Sequence, residues 1–315
     1  MIDFRYHLVS IVAVFLALAV GIVLGASALH GPVQASTGDD LGRVTSEEQD
    51  LEGDVSQLRD EVDAADAFAL AVAPRLVRGA LEDERVLLVT TPATPADLVE
   101  RLTPLLEQAG AQLTGTLELL PALSDPAQRA LVEDLVAQVV PAGVALPDTD
   151  AVGRATAELA AALTSAEDGS TVEPEDAQAV VAAFREAELV EFSSPDDTLR
   201  PATLGLVLAG TAPEALPALE RLQQSAVVAM AGALDARGAG AVLAGPTGSA
   251  DDRGTVRALR SEPALSPEVS SVDDADRGSG LVTVVLSLAE QRRGGVGQYG
   301  TGEGASTAPP RPAAP

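Results

Sequence analysis

The sequence predicts an N-terminal transmembrane helix, then a coiled-coil stalk, then an α/β domain whose mostly parallel sheet is covered by helices. Three observations carry this reading. Leu8–Leu29 runs for 22 residues without a charge. Apolar residues then recur at alternating spacings of three and four from Leu41 onward. Beyond Arg85, short apolar runs alternate with segments of helical period.

The first element, Leu8–Leu29, reads LVSIVAVFLALAVGIVLGASAL. At 1.5 Å per residue it spans roughly 33 Å, enough for a hydrocarbon core of about 30 Å. Gly31-Pro32 ends it, and Asp39-Asp40 follow. Arg5 and the free amine place residues 1–7 in the cytoplasm and the rest of the chain outside the cytoplasmic membrane, although Arg43 weighs the other way. Ala26-Ser27-Ala28 has the small-x-small form of a signal-peptidase site. Asp3 and the length of the apolar run favour a retained anchor. Ala17, Gly21 and Gly25 recur every fourth position, a small-residue face for helix pairing in lipid. Ordinary tolerance of glycine in membrane helices produces the same pattern.

After a linker over 30–40, a stalk is expected over 41–81. Its seam holds Leu41, Val44, Leu51, Val55, Leu58 and Val62, with Asp and Glu on the outer face. Valine at one seam position and leucine at the next, as in Val55 and Leu58, suits a parallel two-stranded coil and hence a homodimer. Glu48 in the seam, Gly53 and an alanine-rich second half make that pairing weak on its own. Tethering to a membrane raises the effective concentration and assists it. A helix folded back on its own domain has the same periodicity.

The domain is expected over 82–298, layered as in Rossmann- and flavodoxin-like folds, with a helical insertion over 121–188. Arg85–Thr90 is an apolar strand. Thr94-Pro95 opens a helix with Thr94 as its cap, and Leu98, Leu102, Leu105 and Leu106 form its buried face. Strands follow at 113–119, 189–192, 202–208, 241–244 and 269–272. Helices are expected from Asp125-Pro126, over 149–163, 174–187 and 217–236, and at 281–290, where a strand is the alternative. Residues 299–315, rich in Gly, Thr, Ala and Pro, read as a disordered tail.

Composition excludes several functions. The net charge is -27, and all 20 basic residues are Arg, so the chain repels nucleic acid. There is no Cys, which removes disulfides, thiolate catalysis and thiolate metal sites. The two histidines, His7 and His30, flank the membrane segment, so the domain holds no histidine-based triad. The methionines are Met1 and Met230. The sequence therefore predicts no enzyme, no cofactor and no metal site. Asp251-Asp252 and Asp273-Asp274-Asp276 offer carboxylates for a hard cation, or simply solvated loops. Candidate ligand or partner loops lie at expected strand exits: Thr90-Thr91, Gly210, and Gly245, Thr247 and Gly248, with Tyr299 in a glycine-rich turn. None matches a phosphate-binding fingerprint, since the Gly245 loop has no Lys.

The opening Met1-Ile2-Asp3-Phe4-Arg5-Tyr6-His7-Leu8-Val9-Ser10-Ile11, the strand Arg85–Thr91, the Gly245 strand exit and the closing Gly297-Gln298-Tyr299-Gly300 resemble an actinobacterial family. That family is the MctB-like copper transporters, also called SteB. The resemblance implies one of two roles. One is copper efflux or homeostasis through an envelope protein of channel type. The other is an anchored scaffold or regulator of cell division, paired with a SteA-like membrane-side partner and a peptidoglycan hydrolase complex. Arg5, Tyr6 and His7 would then contact the inner partner. A single helix encloses no pore, the domain lacks the evenly spaced strands of an outer-membrane barrel, and soft ligands are scarce. The scaffold reading is therefore preferred from sequence, with copper homeostasis as the alternative.

Overall fold

The computed structural model describes residues 4–30, 32–196, 198–212, 217–306 and 308–311; the side chains at 4–6, 8, 26–30 and 32–47 fall outside that description. The chain divides into two units, Met1–Ala64 and Ala65–Pro315.

The first unit holds α1 (Phe4–His30) and most of α2 (Pro32–Leu76). The described apolar side chains of α1 are exposed, Val9 and Phe15 each by 66%. Among the described residues, no helix is long and apolar enough to cross a membrane. The continuous described stretch, 9–25, rises only roughly 26 Å. Helix α2 starts at Pro32, so residues 32–40 of the stretch expected as a linker are helical. Proline is tolerated at that first position, where its missing N–H has no helical partner to lose. Of the expected seam, Leu51, Val55, Leu58 and Val62 are exposed; the side chains of Leu41 and Val44 lie outside the described residues.

In the second unit the end of α2 folds onto its own domain. Ala73 and Val77 are fully buried, and Asp66 Oδ1 accepts a hydrogen bond from the Gly278 N–H at 3.0 Å. At this end the helical period serves intramolecular packing.

The sheet has seven strands in the order β3-β2-β1-β4-β5-β6-β7. They are β1 (Arg85–Thr90), β2 (Gln112–Leu119), β3 (Val190–Ser193), β4 (Leu204–Leu208), β5 (Ala241–Ala244), β6 (Ser270–Val272) and β7 (Gln298–Tyr299). All neighbours are parallel except β3, which runs antiparallel to β2 at the edge. The central strands bury both faces, which is why β1, β4 and β5 are continuous apolar runs.

One face of the sheet, carrying Leu87, Val89, Val207 and Leu243, is covered by α4 (Arg129–Val139), α5 (Ala151–Leu163), α6 (Pro174–Glu186), α7 (Ala218–Arg237) and α8 (Thr255–Arg260). The expected helical insertion is thus part of the main core. The other face, carrying Val86, Leu88, Leu206 and Val242, is covered by α3 (Ala96–Gln108), α9 (Gly278–Gln291) and the end of α2. The chain winds outward from β1 to β2 through α3 and from β4 to β6 through α7 and α8, on opposite faces, as right-handed crossovers require. Helix α9 returns on the face opposite α7 and α8 while β7 continues outward. That last crossover therefore has the opposite hand to those through α7 and α8.

Several expectations shift in detail. Thr94 does not cap α3: the N-cap is Pro95, without a side-chain bond. Thr94 Oγ1 instead donates to the Leu208 carbonyl at 2.8 Å and accepts from Thr91 N–H at 3.0 Å. Helix α5 begins at Ala151 rather than at 149, and Asp150 caps it by accepting from the Gly153 N–H at 2.8 Å. The last segment is the expected helix and not its strand alternative, and it packs against the sheet and against α3. Part of the tail expected from 299 is ordered: Tyr299 lies in β7, the Ser306 N–H bonds to the Gln298 carbonyl, and Pro310 is buried.

Candidate functional site

In open α/β sheets a ligand crevice forms at the carboxyl ends of the strands where the winding reverses. Here the reversal lies between β1 and β4. Thr90 ends β1, nearly buried at 8% exposure, and Gly210 follows β4. These two predicted loops do come together, but they come together too closely to leave an open phosphate cleft. A Cβ on Gly210 would sit 2.4 Å from the Ala93 carbonyl oxygen. The Thr91–Thr94 turn is tied across the end of β4 by the Thr94 hydroxyl.

The space that remains opens sideways. A cavity of about 260 Å³ lies between the 91–93 turn, residues 119–124 and helix α7, with Thr91 and Gly210 in its wall. Its floor is apolar, formed by Leu119, Leu123, Ala209 and Val227. Its polar groups include Glu220, Gln223 and Gln224 from α7. Glu220 Oε2 is buried and makes no hydrogen bond among the described residues.

The remaining predicted positions fall elsewhere. Gly245, Thr247 and Gly248 form the β5 exit turn. There Asp276 Oδ1 accepts from both the backbone N–H of Thr247, at 2.7 Å, and its hydroxyl, at 2.9 Å. Tyr299 lies in β7, its hydroxyl donating to Glu290 Oε2 at 2.5 Å. Burial, and then that carboxylate, push its phenol well above the usual range. The predicted loops are thus distributed over separate places. In α1, Gly21 and Gly25 have open space where a Cβ would be, and Ala17 is exposed. His7 is exposed, and the side chains of Arg5 and Tyr6 lie outside the described residues.

The carboxylates do not converge either. Asp251 and Asp252 are exposed on a turn. Asp273 is buried in a clasp with Arg260, whose Nη1 donates to Asp273 Oδ2 at 2.6 Å. Arg260 also bonds Ser271 Oγ through Nε and the Tyr299 carbonyl through Nη2. The other Asp273 oxygen accepts from the N–H groups of Thr301 and Gly302. This clasp, which sequence reasoning missed, holds the short β7 and the segment after it in place. Beside it, burial first, then Asp273 and Asp276, push the Asp274 carboxyl up to about 6. Among the described residues, no group of three or more His, Cys, Asp or Glu is placed to hold a metal ion.

At the opposite, amino end of the sheet a polar cavity of about 610 Å³ is lined by Glu84, Glu167, Asp235 and Glu268 with Arg85 and Arg292. Arg292 Nε pairs with Glu84 at 2.5 Å, and Thr203 donates to Glu84 at 2.6 Å. Burial, with a smaller contribution from Glu268, raises the Asp235 carboxyl to about 6 against the pull of the Ala241 N–H.

A family model described as "Copper transport outer membrane protein, MctB" matches residues 1–310. The "Copper transporter MctB" of Mycobacterium tuberculosis (strain ATCC 25618 / H37Rv) is 34% identical over 318 residues, covering 97% of this chain and 98% of the relative. That of Mycobacterium leprae (strain TN) is 30% identical over 315 residues, covering 98% of each.

Proposed function

We propose that this chain, which belongs to the MctB family, is a membrane-anchored envelope protein serving copper homeostasis. The observation that carries this reading is a match over nearly the whole chain to relatives named copper transporters.

The anchor in this reading is the full uncharged stretch Leu8–Leu29 within α1. Residues 1–7 then lie inside and the acidic domain outside the cytoplasmic membrane. The exposed apolar positions Leu51, Val55, Leu58 and Val62 of α2 support pairing with a second copy. Ligand chemistry limits how copper enters the mechanism. Soft Cu(I) sites need thiolate, thioether or imidazole. The domain has no Cys and no His, and its single Met230 is fully buried. Copper control therefore runs through the paired membrane segments or through a partner, not through coordination in the α/β core.

Copper content of cells lacking the chain tests this directly. It should rise under copper load and return to normal with the full chain but not with a variant lacking residues 1–40. Unchanged copper content in the deletion would remove the proposal.

A second reading is an anchored scaffold or regulator of cell division, acting with a SteA-like partner at Arg5, Tyr6 and His7 and with a peptidoglycan hydrolase complex outside. The same exposed apolar face of α2 supports it, because a second helix from another protein fits there as well as a second copy. Crosslinking in intact cells separates the two: a hydrolase or septal partner held at 51–62 supports the scaffold, self-crosslinks alone do not.

A further inference from the structure

We propose that the lateral cavity beside β1 and β4 is a binding site for a small, largely apolar molecule that carries one cationic or hydroxyl donor group. This goes beyond the copper reading and does not depend on it.

The position is the one where doubly wound sheets collect ligands, at the carboxyl ends of the two strands flanking the reversal. The chemistry is unlike the nucleotide sites built there. The turn that would cradle a phosphate is closed by Thr94 Oγ1 on the Leu208 carbonyl. Ala93 packs against Gly210 so tightly that no side chain fits between them. What opens instead is an apolar pocket floored by Leu119, Leu123, Ala209 and Val227. At about 260 Å³ it exceeds the roughly 150 Å³ that holds a benzene and falls below the roughly 300–1,000 Å³ of drug-sized sites. Its occupant is therefore a fragment-sized molecule.

Among the described residues, Glu220 is the one charged group lining the pocket, and one of its oxygens is buried with no hydrogen-bond partner there. An unpartnered buried acceptor is costly, and a donor from a ligand removes that cost. A carboxylate there repels an anion and favours an ammonium or hydroxyl head, with charge-assisted bonding strongest for the ammonium. Gln223 and Gln224 add neutral amides around the same rim.

The test uses the full chain in detergent micelles, with benzylamine as probe and benzoate and toluene as comparators of the same ring size. Binding is read from amide NMR shifts at Thr91, Gly210 and Glu220. Benzylamine is expected to bind at these residues with a dissociation constant of roughly 1 mM or below, and benzoate to bind at least about tenfold more weakly. Glu220→Gln should remove most of the preference for benzylamine over toluene, and Ala226→Phe, which fills the cavity, should abolish both. Absence of shifts at these three positions, equal affinity for benzoate and benzylamine, or binding indifferent to Glu220→Gln would each overturn the proposal. Glu220 is only partly buried and Glu220→Gln keeps its shape, so that variant retains the fold and decides the question even if Ala226→Phe does not.

Discussion

Replacing Glu158 with leucine is expected to stabilise the domain at neutral pH and to do so in a pH-dependent way. Glu158 lies on α5 with no exposed surface, and neither carboxylate oxygen has a hydrogen-bond partner among the described residues. Arg154, one turn earlier on the same helix, leaves its Nε equally without a partner among the described residues. Burial alone raises the carboxyl from an ordinary 4.5 to about 7. The unfolded chain loses this proton near 4.5, while the folded domain keeps it until about 7. Between those values the folded state holds more protons, so stability falls as pH rises. The penalty is absent below the lower value and complete above the upper one. With about 1.4 kcal/mol per pH unit, it reaches roughly 3 kcal/mol near pH 8. For a domain of this size that corresponds to a melting shift of about 6–10 °C. The assay is thermal melting of the native chain and Glu158→Leu at intervals from pH 4.5 to 8. The variant's advantage should grow across this window by about 2–3 kcal/mol, whatever its constant repacking cost. Asp235 and Asp274 titrate near 6 in both proteins and cancel in the difference. Two melting curves that stay a fixed distance apart from pH 5 to 8 would refute the account of Glu158 as an uncompensated buried acid.

Three further outcomes follow from the same geometry. Asp273→Ala leaves Arg260 buried without its ion pair and should cost about 3–5 kcal/mol, with protease cleavage appearing first between 300 and 311. Gly210→Ala drives a methyl group to 2.4 Å from the Ala93 carbonyl and should lower stability by about 1–3 kcal/mol, measured by urea unfolding. Leu51→Glu with Leu58→Glu places like charges on the exposed face of α2 and should shift sedimentation of the detergent-solubilised chain toward monomer; an unchanged distribution would remove that face from self-association.

The local elements were legible because their signals are local. The apolar run Arg85–Thr90, the spacing Leu98, Leu102, Leu105 and Leu106, and the buried quartet Ala241–Ala244 each announce their class within one segment. The alternation of strands and helices likewise fixed an α/β sheet. What the sequence left open was decided by groups distant along the chain. The two-residue β7 has no period of its own; it exists because Arg260 and Asp273 hold the backbone around it. Thr94 looked like a helix cap, yet its hydroxyl oxygen accepts from the Thr91 N–H and its proton goes to the Leu208 carbonyl at the end of β4. The period of α2 fitted both a partner helix and the chain's own domain, and the buried Ala73 with the Asp66–Gly278 hydrogen bond shows where its end packs. The lateral cavity draws its wall from the exits of β1, β2 and β4 and from the first half of α7, far apart in sequence. Periodicity reports which face of a segment avoids water; it carries no information about which distant atoms that face will meet, and those meetings set the clasp, the closed cleft and the pocket.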